Sequence, residues 1–266
     1  MKISVITVCY NAVDRIERTV RSVITQTYCD FEYIIIDGGS QDGTVDIIST
    51  YEEKISFWSS ESDSGIYNAM NKGTRVAKGD FCLFLNAGDM LFGPDVLERV
   101  AGFLTPEYSI VMGNQVFLSP SGKIVAYGKA WSEVTRERLY SDSLYHQASF
   151  IRRRDLLEYP YDETLKMVSD WKAAYKLLIL EGGKYRGIDV NVDYFVEDGV
   201  TFTRQTEGRD EKRVLLDEYY SKEESEALER KLVEYKNVTN VSRYLNFLSR
   251  KLRLLFLKIS LTVPAL

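Results

Sequence analysis

Carboxylates and small polar residues recur in four tight clusters before residue 90, each placed directly after an apolar run. The clusters are Thr7 to Asn11, Asp37 to Thr44, Glu61 to Gly65 and Asn86 to Asp89. Asp37 is followed by Gly38 and Gly39. A carboxylate there can accept a hydrogen bond from a base or a ribose, and glycines let the backbone approach a ligand closely. Asp-Gly pairs also make ordinary turns, so Asp37 alone leaves both readings open. Asp89 closes the fourth cluster. It either faces a metal-bound diphosphate or caps a helix starting near Pro94. Two later residue types complete the set. His146 is the only histidine, and Asp170 stands in Ser169-Asp170-Trp171 at an expected helix start.

The elements between these clusters would bring them together. Ile3 to Cys9 is a β-rich run, and Asn11 to Asp14 open a helix with Ile16, Val20, Val23 and Ile24 at helical spacing. Phe31 to Ile36 is too continuously apolar for an edge and reads as a central, parallel strand. A helix over Val45 to Thr50, a strand over Ile55 to Trp58, a helix over Ile66 to Val76 with Ile66, Met70 and Val76 inward, and a buried strand over Phe81 to Leu85 follow. This alternation predicts an α/β fold with a doubly wound, mostly parallel sheet, whose strand ends gather along one edge. Beyond residue 94 the pattern loosens: a helix over Val96 to Leu104, strands over Tyr108 to Phe117 and Ile124 to Tyr127, and a strand over Gln147 to Ile151. A helix over Trp171 to Leu180 with Ser169 or Asp170 as N-cap, strands over Tyr185 to Ile188 and Val190 to Val196, and a charged helical stretch from Glu207 to Tyr235 complete it. The expected division is a catalytic unit over residues 1–205, with halves 1–93 and 94–205, and a helical tail over 206–266.

Bulk properties exclude several classes. A net charge of −5 argues against a general nucleic-acid role. Cys9, Cys29 and Cys82 lack metal-site spacing, and Cys9 and Cys82 read as reduced core residues, which suits the cytoplasm. No signal peptide and no membrane-spanning run is visible in the sequence. The G-x-G-x-x-G fingerprint and the P-loop are missing after the first strand, which counts against nicotinamide, flavin and P-loop enzymes.

Taken in order, Thr7-Val8-Cys9-Tyr10-Asn11, Ile36-Asp37-Gly38-Gly39-Ser40-Gln41-Asp42-Gly43-Thr44, Glu61 through Gly73 and Leu85-Asn86-Ala87-Gly88-Asp89 resemble the family 2 glycosyltransferases of the GT-A fold. The resemblance is greatest to the bacterial branch that builds exopolysaccharide, capsule, colanic acid or O-antigen. It covers residues 3–89 and extends more weakly, through His146-Gln147 and Ser169-Asp170-Trp171, to about residue 180. It implies a nucleotide-diphosphate-sugar donor, UDP favoured, and a glycan acceptor that is lipid-linked. Tyr10 would stack on the base with Thr7 and Asn11 nearby, Asp37 would accept from the base imide, and Asp63 would sit against base or ribose. Lys72 would reach phosphate, or else be a solvated helix lysine. Asp89 would bind Mn2+ or Mg2+ bridging the phosphates. The family's usual motif has an acid where Asn86 stands, so Asn86 is assigned to ribose or sugar. His146 would complete the metal site or pack before its strand. Asp170 would be the general base of an inverting displacement, or only an N-cap, and Trp171 would pack on the acceptor sugar or in the core. Gly199-Val200-Thr201, after Asp193, Glu197 and Asp198, would close over the donor, with Arg204 the nearest candidate for phosphate.

The tail is a separate problem. Residues 240–266 hold five basic residues and no acid, leaving −10 on the first 239. Val241, Tyr244, Leu245, Leu248, Leu252, Leu255, Phe256 and Ile259 recur at helical spacing. A basic amphipathic helix on the inner face of a membrane is one reading, and docking on the catalytic unit or on a second copy is the other. Two further classes stay open. A sugar nucleotidyltransferase would need a basic, Gly-rich loop after the first strand, which Thr7 to Arg15 lacks. A non-catalytic assembly subunit is supported only by the altered Asn86 motif.

Overall fold

The computed structural model describes residues 1–196 and 205–231. Four parallel strands carry the first half: β1 (Ile3–Cys9), β2 (Phe31–Asp37), β3 (Phe57–Ser60) and β4 (Phe81–Phe84). Helices α1 (Ile16–Ile24), α2 (Thr44–Ser49) and α3 (Ile66–Val76) join them. All seven residues of β1 are buried, as expected of a strand covered on both faces. The second half adds β5 (Met90–Leu91), α4 (Val96–Ala101), β6 (Tyr108–Leu118), β7 (Ile124–Gly128), α5 (Arg136–Ser141), β8 (Ser149–Arg152), α6 (Arg153–Glu158), α7 (Ser169–Tyr175) and β9 (Lys184–Val196). Helix α8 (Gln205–Tyr219) and a helix over residues 222–231 follow.

The strands form one sheet in the order β3-β2-β1-β4-β8-β6-β9-β5, with β7 on β6. The β3-β2-β1-β4 segment is parallel, so Cys9 lies beside Asp37, and Asp37 beside Ser60, along one edge. The second half is mixed: β8 is antiparallel to β4 and β6, and β9 is parallel to β6 and antiparallel to β5. The result is the doubly wound α/β architecture that the alternation implies, with the clusters at the strand ends.

Several details differ from expectation. β3 lies two residues later than expected, over Phe57–Ser60. In α3, Ile66 is 39% exposed, while Tyr67, Met70, Asn71 and Thr74 form the buried stripe. Two polar members hide that stripe from a hydrophobicity reading. His146–Ala148 is a 3-10 turn rather than part of a strand. Residues 184–196 form one strand, its register with β6 shifting three times, where two strands are expected. Neither Ser169 nor Asp170 caps α7, because Val168 occupies that position. The helix changes after Tyr175 to a π-turn over Lys176–Leu180.

Two compact units are present, Met1–Leu215 and Leu216–Leu266. Residues 197–204, including Glu197, Asp198, Gly199 and Arg204, and the amphipathic stretch 240–266 lie outside the described residues. Among the described residues no helix is long and apolar enough to cross a membrane.

Candidate active site

At the ends of β1 and β2, the first two clusters hold each other. Asn11 takes a left-handed conformation at φ 46°, which asparagine tolerates better than most residues. Its N–H donates to Ser40 Oγ at 2.7 Å, and its Oδ1 accepts from the Gln41 N–H at 3.1 Å. Val13 N–H donates to Asp42, and Ala12 N–H to Thr44. Tyr10, between β1 and this pinned loop, is 65% exposed and free to offer a ring face. Thr7 is not at the edge: it is fully buried, and its hydroxyl meets Tyr33 OH at 3.0 Å. Its expected place beside the base is thereby corrected to the sheet interior.

Asp37 is also fully buried. Its carboxylate accepts from Gly39 N–H at 3.1 Å, Ser40 N–H at 2.8 Å, Ser60 Oγ at 2.6 Å, Ser40 Oγ, and the Cys9 thiol. Burial alone would raise its pKa, yet the hydrogen bonds of Ser40 and Ser60 outweigh it and hold the carboxyl below its usual range. Both oxygens are engaged in building the loop, so this arrangement does not present Asp37 to a base imide. The more open carboxylate is Asp63, whose Oδ1 accepts from Gly65 N–H at 2.9 Å. A Cβ on Gly38 would lie 2.8 Å from Asp63 Oδ2, so glycine at 38 is what lets the two loops approach. Lys72 Nζ pairs with Glu61 at 2.8 Å, making it neither a solvated lysine nor an unengaged one.

The fourth cluster is anchored by α1. Gly88, at φ 113°, donates its N–H to Thr19 Oγ1 at 2.8 Å. Thr19 in turn donates to the Asp89 carbonyl, and Arg18 Nε to the Gly88 carbonyl. Asp89 is thus a buried carboxylate rather than a helix cap, since Asp95 holds the N-cap position of α4. Its pKa is pushed up to about 7 by burial, opposed by the His146 charge and by hydrogen bonds from Gln147 and the Val196 N–H. Beside it stands Asp193, fully buried, one Oδ accepting from Gln115 at 3.0 Å and Oδ1 without a partner among the described residues. Burial and the neighbouring Asp89 push Asp193 well above the carboxylate range. Gln115 and Gln147 bridge the two acids through bonds of 3.3 Å.

The resemblance implies a divalent cation at this donor set. Among the described residues no three His, Cys, Asp or Glu side chains converge as a cation cage. Burial and mutual repulsion nevertheless disfavour two charged carboxylates here, and their oxygen donors are of the hard type that Mg2+ and Mn2+ accept. The residues fit a cation touched by Asp89 and completed by diphosphate oxygens. His146 does not join that set, because both of its ring nitrogens are engaged. Nδ1 lies 3.2 Å from Asp170 Oδ2, and Nε2 lies 3.1 Å from Asn86 Nδ2. Where a metal ligand at His146 and a sugar contact at Asn86 are expected, the structure joins the two side chains to each other.

Asp170 is the meeting point of the second half and α3. Its Oδ1 accepts from Tyr67 OH at 3.0 Å and its Oδ2 faces His146. Burial would raise its pKa, but His146, the Trp171 N–H and Tyr67 together keep it below the usual value, so the group is ionised. The stretch after the third cluster therefore supports this carboxylate through Tyr67. Asn68 and Asn71 bind Glu163 at 2.6 and 2.9 Å, and Asn71 also exchanges hydrogen bonds with the Tyr161 backbone. Trp171 is 1% exposed, donates to the Leu139 carbonyl at 2.7 Å and stacks on Tyr175. It is a core residue, not a platform for an acceptor sugar.

Sequence reasoning missed several contributors. Tyr67 lay inside a recognised motif, and its place one residue after Ile66 on a helix face was the available signal. Asp193, an isolated acid among Val190, Val192, Phe195 and Val196, stood out by pattern alone. Glu211 gave no signal, because the charged run from 207 reads as a tail. In the structure Glu211 accepts from the backbone N–H groups of Lys166 and Met167 at 2.7 and 2.8 Å. Lys212, next to it, donates to the Asp142 carbonyl and lies 5.1 Å from the Trp171 ring.

Comparison with known proteins agrees with this architecture. An uncharacterized glycosyltransferase of Mycobacterium tuberculosis is 43% identical over 104 residues, covering 39% of this chain and 40% of the relative. A putative teichuronic acid biosynthesis glycosyltransferase of Bacillus subtilis is 42% identical over 105 residues, covering 38% and 41%. The match thus spans about two fifths of the length of these relatives. Among solved structures, residues 1-349 of S. aureus TarS in complex with UDP-GlcNAc share the fold at a TM-score of 0.61 and 20% identity, covering 77% of this chain and 61% of that one. A mannosyltransferase from Pyrobaculum calidifontis in complex with GDP-Man and Mn2+ does so at 0.60 and 18%, covering 80% and 62%. The sequence profile of Glycosyl transferase family 2 matches residues 4–159, more than half of the chain, and the protein belongs to that family.

Proposed function

We propose that the chain is an inverting, metal-dependent glycosyltransferase that moves a sugar from a nucleotide-diphosphate donor, UDP favoured, onto a lipid-linked glycan of a bacterial surface polysaccharide. The observation that carries this reading is Asp170. It is a carboxylate kept ionised in a largely apolar setting, and its two oxygens are oriented by Tyr67 and His146. Such a group suits removal of the proton from an acceptor hydroxyl as its oxygen attacks the anomeric carbon. The bond from that carbon to the diphosphate breaks as the new one forms, and single displacement inverts the centre. A divalent cation, when bound, supplies charge stabilisation to the departing diphosphate. Tyr10 and Asp63 are the side chains most available to the base and ribose, while Asp37 and Asn11 shape the loop behind them. The putative teichuronic acid biosynthesis role in the Bacillus relative's name and the UDP-GlcNAc bound by the S. aureus neighbour support the pathway and donor class. The mannosyltransferase with Mn2+ supports the metal, with Mg2+ as the other candidate. A place at the cytoplasmic face, with residues 240–266 touching the membrane or a second copy, completes the proposal.

The test is a panel of UDP- and GDP-sugars with Mn2+ or Mg2+, read by donor binding and by hydrolysis or transfer. Metal-dependent UDP binding is expected. Asp170→Asn should keep donor binding and lose transfer by about 10²–10⁴-fold. Absence of UDP and GDP binding with either metal would overturn the enzyme reading, and unchanged transfer by Asp170→Asn would remove the base.

A further inference from the structure

Helix α8 carries Gly208, Glu211, Lys212 and Leu215 on one face, at the i, i+3, i+4, i+7 spacing of a helical stripe. Leu215 is buried, and Asp210, Arg213 and Val214 on the other face are exposed. All four stripe residues belong to the same compact unit as the site, Met1–Leu215. Two of them are charged, so hydrophobic burial alone does not explain this face. Their partners flank Asp170 in the chain. Glu211 spreads its carboxylate over two consecutive backbone N–H groups, Oε1 accepting from Lys166 at 2.7 Å and Oε2 from Met167 at 2.8 Å. A Cβ on Gly208 would lie 3.3 Å from Met167 Cβ, so glycine there keeps the helix close to this segment. Met167 directly precedes Val168, the N-cap of α7, which makes no side-chain capping bond. The entry of the helix that bears Asp170 is therefore fixed by an acid from another helix rather than by a cap of its own. On the other side of Asp170, Lys212 Nζ donates to the Asp142 carbonyl at 3.0 Å and lies 5.1 Å from the centre of the Trp171 ring, within cation–π range. Asp142 closes α5, and Trp171 Nε1 donates to the Leu139 carbonyl of that same helix. One lysine thus ties the end of α5 to the residue after Asp170.

We propose that Glu211 and Lys212 are positioning residues of the base: α8 clamps the segment leading into Asp170 and the tryptophan following it, and so belongs to the acceptor half of the site. This inference rests on the reading of Asp170 as the base. Helix α3 holds the same segment from another side, where Asn68 and Asn71 donate to Glu163. With α3 still in place, loss of Glu211 loosens the segment without unfolding it. Lys166 is exposed and Met167 only half-buried, so water can replace the lost acceptor. The consequence falls on rate, because an error of about 1 Å in the placement of a reacting group costs on the order of 10²-fold.

The test uses the full chain with the metal and donor that support turnover, water as the acceptor, and UDP as the binding probe. Glu211→Ala should lower kcat for donor hydrolysis by about 10–10²-fold, while the UDP dissociation constant stays within about twofold. Glu211→Gln keeps one accepting oxygen and should retain more kcat than the alanine form; it carries the test should Glu211→Ala not fold. Lys212→Met should lower kcat, and Lys212→Arg, which can still donate to the Asp142 carbonyl and lie on Trp171, should recover most of it. In an Asp170→Asn background, Glu211→Ala or Glu211→Gln should change the residual rate by less than about twofold, since residues that act through one group are not additive. Three results would overturn the proposal: wild-type kcat in the Glu211 variants, UDP affinity falling in step with kcat, or the full loss recurring when Asp170 is already removed. A wild type that turns over no UDP- or GDP-sugar would remove the glycosyltransferase reading itself, and this proposal with it.

Discussion

Asp37 and Asp89 both leave the same sheet edge and both are buried, yet their surroundings treat the charge in opposite ways. Around Asp37, two backbone N–H groups, two serine hydroxyls and a thiol converge, and its pKa falls. Around Asp89, the side-chain donor is one glutamine at 3.3 Å, a second acid stands alongside, and its pKa rises to about 7. The first is a finished structural carboxylate. The second is a carboxyl that burial and a neighbouring acid make hard to ionise, an environment in which a cation would be favoured. Motif matching gives both residues ligand-binding roles; the hydrogen-bond census separates them.

The largest effect that would break this contrast comes from Asp37→Ala. It leaves the Gly39 and Ser40 N–H groups and the Ser60 hydroxyl without their acceptor, so stability should fall by about 3–5 kcal/mol in urea titration. A loss below about 1 kcal/mol would show that the Asn11 bonds alone hold the loop, and Asp37 would be available to ligand after all. Asp89→Asn should do the reverse in metal-free protein. A carboxyl whose folded pKa is raised from 3.8 to about 7 costs nothing below the unfolded value, costs more with each pH step between the two values, and reaches its full cost once pH exceeds the folded value. The stability gain of Asp89→Asn over wild type should therefore grow by about 2–3 kcal/mol between pH 5 and pH 8. The same variant should lose metal-dependent donor binding. A gain that is equal at both pH values would place Asp89 among satisfied carboxylates like Asp37.

How much of this could be read from the sequence divides along the same line. The parallel half was legible because β1, β2 and β4 are continuous apolar runs and every polar cluster follows one. The second half was less so. β9 reads as two strands because Gly187 and Asp189 interrupt its pattern, although its pairing with β6 continues through shifts in register. The buried face of α3 was misplaced because Asn71 and Thr74 point inward to bind Tyr161 and the helix backbone. Within the site, the motifs single out Asp89 and Asp170 as candidates. The His146 link, the burial of Trp171 and the proximity of Asp193 depend on contacts between residues 60 or more apart, or on side-chain direction, and no local pattern encodes those.

The smallest effect concerns Lys72, and it sharpens what the Asp37 side of the site offers a ligand. Its ion pair with Glu61 spans 2.8 Å, but the Glu61 side chain is 61% exposed, so the pair contributes under about 1 kcal/mol and weakens with salt. If Lys72 belongs to that pair, Lys72→Met should change the affinities for uridine and for UDP by the same factor, under about threefold. If it leaves Glu61 for a phosphate when donor binds, UDP alone should weaken, by about tenfold or more, while uridine stays level. The ratio of the two dissociation constants is insensitive to a general loss of stability. It therefore decides whether the loops proposed to hold the base supply any positive charge to the diphosphate, or leave that task to the cation proposed at Asp89.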